Sequence, residues 1–94
     1  MKNYELVIII EAKEEIIERT KEKIKEDIKA LGGTILKEDT MGVRVLAYEI
    51  KKKSKGFYYV VTIEIDPQKI VELEKEFKLN ESILKNQVHV LSGK

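Results

Sequence analysis

The sequence contains no cysteine and only one histidine. Without cysteine there is no disulfide framework, no thiolate metal site and no cysteine nucleophile. The lone His89, near the end of the chain, reads as an exposed strand residue, not as half of a base-and-nucleophile pair. Long apolar runs are also missing. The longest, Leu6–Ile10, falls far short of the ~20 residues that cross a bilayer, and no signal-peptide pattern precedes it. Charge of one sign is absent too: 18 Lys and Arg face 17 Asp and Glu, a formal net charge of +1, which gives no sign of a strongly basic protein. Only two of the cations are arginine, and the weight of Lys, Glu and Ile fits a thermophile or an AT-biased genome equally. What is present is ordinary globular composition, 43% hydrophobic and 37% charged over 94 residues. Surface scaling for this mass buries about two-thirds of the unfolded chain's area, enough for one core and not two. Residues 1–94 are therefore expected to form a single soluble, cytosolic domain.

The pattern along the chain then changes period several times. Asn3–Ile10 is β-branched and apolar on both parities, as in a central strand covered on both faces. From Lys13 to Leu31 the apolar residues Ile16, Ile17, Ile24, Ile28 and Leu31, with Thr20, form one helical stripe, and Gly32-Gly33 supplies the left-handed stop. Thr34 to Ile50 reads as one long strand bent near Gly42 by a bulge or kink. A basic turn, Lys51–Gly56, leads into the strand Phe57–Ile65 to make a hairpin. Asp66-Pro67 opens a second helix, with Asp as cap and Pro at its first position and Ile70, Leu73 and Phe77 as its stripe. Asn80-Glu81-Ser82 turns the chain into a last strand, Ile83–Leu91.

The order β-α-β-β-α-β has a favoured packing. Two interleaved right-handed crossovers place both helices on one face of a four-stranded antiparallel sheet in the order 4-1-3-2, an α+β, ferredoxin-like fold. Parity then assigns Leu6, Ile8 and Ile10 with Tyr59, Val61 and Ile63 to the core, beneath Ile24, Ile28, Leu73 and Phe77. The helix-free face carries Val7 and Ile9 beside Tyr58, Val60 and Thr62, with Lys85 on the last strand. An open face rich in Val, Ile and Tyr points to a partner surface.

Catalytic constellations are lacking. Glu14-Glu15 and Glu72 to Glu76 read as solvated helix surface, Ser54 and Ser82 have no His/Asp companions, and Gly32-Gly33 follows a helix where a phosphate loop would open one. The protein is read as a non-enzyme without cofactor or metal. Lys55-Gly56-Phe57-Tyr58-Tyr59-Val60-Val61 resembles the third-strand signature of an RNA-recognition motif. Its would-be stacking residues, Phe57 and Tyr59, share parity with Val61 and Ile63 on the core side, so base stacking is rejected. Lys51, Lys52, Lys53 and Lys55 carry two readings that stay open: solubilising charges at a hairpin end, or salt-sensitive phosphate contacts.

Several segments together resemble bacterial ribosomal small-subunit protein six. They are the opening Tyr4-Glu5 strand, Gly32-Gly33, Gly42-x-Arg44-x-Leu46-Ala47-Tyr48-x-Ile50, the basic turn into Gly56-x-Tyr58, and Leu79-Asn80-Glu81-x-Ile83-Leu84-Lys85. The resemblance covers nearly the whole chain and implies a ribosomal constituent located in the cytoplasm. Such a protein would bind the central domain of small-subunit ribosomal RNA cooperatively with ribosomal small-subunit protein eighteen, as a heterodimer, with no membrane and no small-molecule substrate. By the same resemblance, the RNA contacts would be Lys2, Tyr4, Arg44, Tyr48, Lys51, Lys52, Lys53, Lys55 and Lys85. The partner-binding sheet face would be Val7, Ile9, Tyr58 and Val60. Arg44 suits bidentate phosphate contact and the lysines act as point charges; Tyr48 is open between packing and contact.

The chain departs from the family pattern at Val45, where a second Arg is frequent, at Glu49, where Pro commonly follows the Tyr, and at Lys85, usually Arg. Fewer guanidinium forks mean less orientation-specific contact. The chain also ends three residues after Leu91, without the acidic or flexible tail of some members. Two rivals share the topology. A small-molecule-sensing regulatory domain would place a glycine-bearing loop after the first strand, where Glu11-Ala12-Lys13 stands. A small phosphatase would need an Arg-bearing anion loop there and an Asn on a central strand, whereas Arg19 is mid-helix and Asn86 lies on an edge strand.

Overall fold

The computed structural model describes residues 1–91 as β1 (Lys2–Glu11), α1 (Glu14–Ala30), β2 (Thr34–Ile50), β3 (Lys53–Ile65), α2 (Pro67–Leu79) and β4 (Ile83–Val90). The strands form one sheet in the order β2-β3-β1-β4, with every neighbouring pair antiparallel. This is the expected topology, and β1 is central.

Each boundary has a local cause. At the end of α1, Gly32 takes φ +80° while its N–H donates to Lys29 O and the Gly33 N–H donates to Ile28 O, the paired bonds that terminate a helix through a left-handed residue. At the start of α2, the Asp66 carboxylate accepts from the Gln68 N–H at 2.9 Å, with Pro67 placed where no N–H is needed. The Asn80 side chain accepts from the Ser82 N–H at 2.9 Å and turns the chain into β4.

The core lies between the sheet and the helices. Leu6, Ile8 and Ile10 of β1 and Tyr59, Val61, Ile63 and Ile65 of β3 are fully buried against Ile24 and Ile28 of α1 and Leu73 and Phe77 of α2. Burial of a side chain of this size contributes about 1.5–3 kcal/mol, so this layer holds the fold without a disulfide. Val71, at the margin of the α2 stripe, is exposed.

Three features differ from the sequence-based expectation. The hairpin turn is two residues, not six: Ile50 pairs with Lys53, and Lys53–Gly56 is already strand. Lys51 and Lys52 both adopt left-handed backbone, φ 51° and 65°, as a two-residue hairpin with the right twist demands. Local pattern concealed this because Asn-Gly or Asp-Gly is the usual signal for such a turn. Second, the bend in β2 is real but multiple. Leu36 and Met41 are each left without an opposite residue, and the register slips again between Val45 and Ile50. Third, the helix-free face has a small core of its own. Ile9 is only 7% exposed, covered by Leu46 and Leu84, with Ile50 and Tyr58 packed against them. Leu84 reaches that face because Ile10 pairs with Ile83 and Ile9 with Lys85, which leaves Leu84 as the extra residue of a bulge.

Gly56 makes this second core possible. A Cβ there would overlap Ile9 Cγ2 and touch Leu46 Cδ2 at 3.5 Å. Gly56→Ala should therefore destabilise the protein by about 1–3 kcal/mol through overpacking, measured as the shift in a urea midpoint at constant m. At the turn the opposite sign is expected. Lys52→Gly relieves a left-handed lysine and should stabilise by about 1 kcal/mol in the same assay. A destabilised Lys52→Gly protein would show that the lysine backbone carries no strain.

Candidate functional site

Chemistry-bearing side chains gather in two places, the helix-free sheet face and the end of the sheet around the hairpin turn. On the sheet face, half-buried Tyr58 packs against the Ile9–Leu46–Leu84 cluster, and the paired, half-buried Val7 and Val60 lie next along the strands. Arg44 stands exposed beside them, opposite Gly56 in the ladder. Its Nε donates to Met41 O at 3.3 Å, across the bulge that Met41 creates. Glu5, Val7, Asp39 and Val60 line a shallow groove with Arg44, yet among the described residues Arg44 forms no ion pair. Its guanidinium thus keeps donors free for an external anion.

Across the small core lie Tyr48 and Lys85. Tyr48 is 63% exposed, and Lys85 Nζ donates to its hydroxyl at 3.2 Å. The same ammonium is 5.8 Å from the ring centroid, so it lies past the hydroxyl edge and the contact is a hydrogen bond more than a cation–π stack. Tyr48 is therefore no core residue; it is a surface aromatic joined to a lysine.

The turn lysines separate into two kinds. Lys51 Nζ donates to Ile83 O at 3.1 Å, tying the turn to the start of β4. Lys53 Nζ lies 3.2 Å from Glu11, a carboxylate that also pairs with Lys13 at 3.6 Å and whose side chain is 16% exposed. Lys53 chiefly, with Lys13, holds the Glu11 carboxyl below the ordinary carboxylate range, against a desolvation that pushes it up. Lys52 and Lys55 are exposed and form no ion pair among the described residues. Lys2 is exposed at the far end of β1, opposite Ile65.

Two expected contacts are corrected by burial. Tyr4 is 4% exposed and belongs to the helix-side core, in parity with Leu6. It is a packing residue of the chain, and the same parity rule that assigned Leu6 inward would have shown it. Ile9 is covered by the chain's own Leu46 and Leu84 and supports the sheet face from beneath.

Two charged clusters escaped the sequence pattern. Lys13 meets the turn because β1 and β3 pair Glu11 with Gly56, a long-range register that no local period reveals. On the helix side, the buried Tyr59 hydroxyl donates to Glu38 Oε1 at 2.7 Å, and Lys25 Nζ lies 3.3 Å from the same oxygen. Lys21 reaches over the Phe57 and Tyr59 rings, 5.9 and 5.7 Å from their centroids. These rings are occupied by the protein's own helix, which agrees with the rejection of base stacking. Burial, then the bond to Glu38, raises the Tyr59 phenol far above its ordinary value, and the Tyr59 hydrogen bond, with Lys25, lowers the Glu38 carboxyl.

Residues 3–89 match the profile of the family Ribosomal protein S6. The chain is 43% identical over 90 residues to the small ribosomal subunit protein bS6 of an Arthrobacter species, covering 94% of this chain and 89% of that protein. The crystal structure of 30S ribosomal protein S6 from Thermotoga maritima superposes with a TM-score of 0.89 at 34% identity, covering 96% of this chain and 87% of that one. The C-terminal domain of the MgtC protein from Mycobacterium tuberculosis, at TM-score 0.67 and 14% identity over 97% of this chain and 88% of that one, shares the fold alone.

The Tyr59–Glu38 contact has a pH signature. Glu38 and Glu11 fold with carboxyls below their ordinary 4.5, so the stabilisation they add is complete above that value and is lost as pH falls through the lowered ones. Tyr59→Phe should cost about 1–3 kcal/mol at neutral pH and flatten the acid limb, read from urea unfolding between about pH 3 and 7. An acid limb as steep as that of the unmodified protein would show that Tyr59 does not hold Glu38.

Proposed function

The chain belongs to the ribosomal protein S6 family, and from that premise we propose that it binds the central domain of small-subunit ribosomal RNA jointly with ribosomal small-subunit protein eighteen. As a family member it is a structural, non-enzymatic constituent of the cytoplasmic ribosome's small subunit, associated with ribosomal RNA. The finer reading rests on one observation above all: a half-buried apolar strip bordered by exposed cationic donors on the helix-free face. Val7, Tyr58 and Val60 offer the partner protein a surface already stiffened by Ile9, Leu46 and Leu84. Arg44, Lys85 with Tyr48 and the turn lysines offer phosphate contacts at its borders; Lys2, opposite the core residue Ile65, is exposed on the helix side and lies off this face.

Electrostatics support a joint site. Four lysines with no acid in residues 50–59 are balanced by six acidic against three basic residues in 64–81, which is how a chain of net charge +1 keeps a cationic end. Such a chain is poorly equipped to hold RNA alone and well equipped to share a site with a basic partner.

The test is a titration on a central-domain ribosomal RNA fragment, with and without the partner protein, at low and high KCl. Affinity is expected to rise with the partner and to fall with salt; failure of either overturns the reading. Arg44→Lys keeps the charge but loses the planar fork, and should weaken binding roughly tenfold in the presence of the partner.

A further inference from the structure

The end of β1 and the hairpin turn enclose a shallow recess in which Lys13, Lys52, Lys53 and Lys55 surround Glu11, with Ser54 between them. Three different segments supply these residues: Lys13 caps α1 in the short link after β1, Lys52 sits in the turn, and Lys53 and Lys55 begin β3. The register that sets Glu11 opposite Gly56 brings them together. Formal charge in the recess is four positive and one negative. Among the described residues the Glu11 carboxylate forms ion pairs with Lys13, at 3.6 Å, and Lys53, at 3.2 Å, and with no other cation. None of the four lysines pairs with Glu14 or Glu15, the carboxylates that open α1.

The geometry points to this recess as a phosphodiester-binding site for RNA, in which Lys13 is a contact residue and Glu11 is a resident counter-anion that an RNA phosphate displaces. The inference deepens the RNA-binding reading above and rests on it. Four ammonium groups left to themselves would repel one another and disperse. A carboxylate that is 16% exposed and held ionised by Lys53 keeps two of them converged in the unbound protein. A phosphodiester carries the same single charge as the carboxylate, but its two non-bridging oxygens are tetrahedrally splayed and arrive from outside the recess, so it can bridge the free Lys52 and Lys55 to the tethered Lys13 and Lys53. Binding then exchanges one anion for another within the recess, and the exposed Ser54 in its lining offers a hydroxyl donor. Glu11 acts through the lysines and is a positioning residue.

Opposite shifts follow from the two roles. Lys13→Gln should weaken RNA binding three- to tenfold near 0.1 M KCl and lower the slope of log affinity against log salt by about 0.7–0.9, one phosphate contact. Glu11→Gln removes the competing anion and should tighten binding and steepen that slope, with folding of each variant verified by its thermal melt. Lys29→Gln removes the same charge at the far end of α1, about 24 Å from Lys13 by helix rise, and should change neither quantity. All titrations use the central-domain RNA fragment with the partner protein present. A parallel titration with inorganic phosphate as competitor separates a backbone site from a free-anion site; millimolar phosphate should displace RNA only weakly, and full displacement would overturn the assignment to RNA. If the unmodified protein binds RNA with its partner but Lys13→Gln matches it in affinity and slope, the recess is not a contact and the family reading survives. If Glu11→Gln weakens binding while still folding, the counter-anion role is wrong. If the unmodified protein does not bind, both readings fail together.

Discussion

Everything distinctive in this molecule depends on β1 being paired on both sides in one register. Its ten residues lie opposite Ile65 through Gly56 of β3 without a slip, while its other edge pairs with β4 through a single bulge. Side chains alternate with period two, so a one-residue slip would carry Leu6, Ile8 and Ile10 to the open face and expose the core between sheet and helices. The same register, with Ile9 opposite Tyr58 and Glu11 opposite Gly56, lays the Ile9 side chain diagonally over Gly56, the only residue type that leaves room for the small core on the other face, and brings Glu11 and Lys13 to the turn lysines. One pairing thus fixes the main core, the platform on the open face and the cationic recess.

The platform shows why an apolar sheet face is tolerable on a chain with a polar exterior. Ile9, Leu46 and Leu84 close over one another, so what remains accessible is a rim of half-buried Val7, Tyr58 and Val60, not an open hydrophobic sheet. Two irregularities produce that closure. The bulge at Leu84 turns an edge-strand leucine inward, and the slip between Val45 and Ile50 lets Leu46 lie over the glycine. A rigid patch loses less side-chain entropy on docking than a loose one, so self-packing of this face favours association as well as solubility.

Period and punctuation make most of the fold legible in the amino-acid sequence. The two-sided run of β1, the glycine stop after Leu31, Asp66-Pro67 and the parity of Tyr59, Val61 and Ile63 all occupy the places expected of them, because each is decided within a few residues. The misplacements have one origin in common. Two lysines in left-handed turn positions, Ile9 beneath Leu46 and Leu84, and Lys13 beside Lys53 are decided by strand pairing between distant segments. Tyr4 is the instructive exception, since parity alone places it inward and only the carried-over family role argues for the surface. For alternating strands, parity takes precedence over analogy whenever the two disagree.

Charge follows the same logic of position over sum. Of the turn lysines, Lys51 is engaged by a carbonyl of β4 and Lys53 by Glu11, and only Lys52 and Lys55 stand without either an ion pair or a side-chain hydrogen bond among the described residues. Counting the run Lys51–Lys55 as uniform positive charge therefore overstates what an RNA would meet there and misses Lys13, which arrives from the link between β1 and α1. The net +1 describes neither end of the molecule. At an effective range of about 8–10 Å in physiological salt, an approaching phosphate responds to the few charges within one recess and hardly at all to the acidic surface of α2 beyond it. A near-neutral protein can in this way present a locally cationic site, and the structure builds that site by strand register with only a handful of lysines.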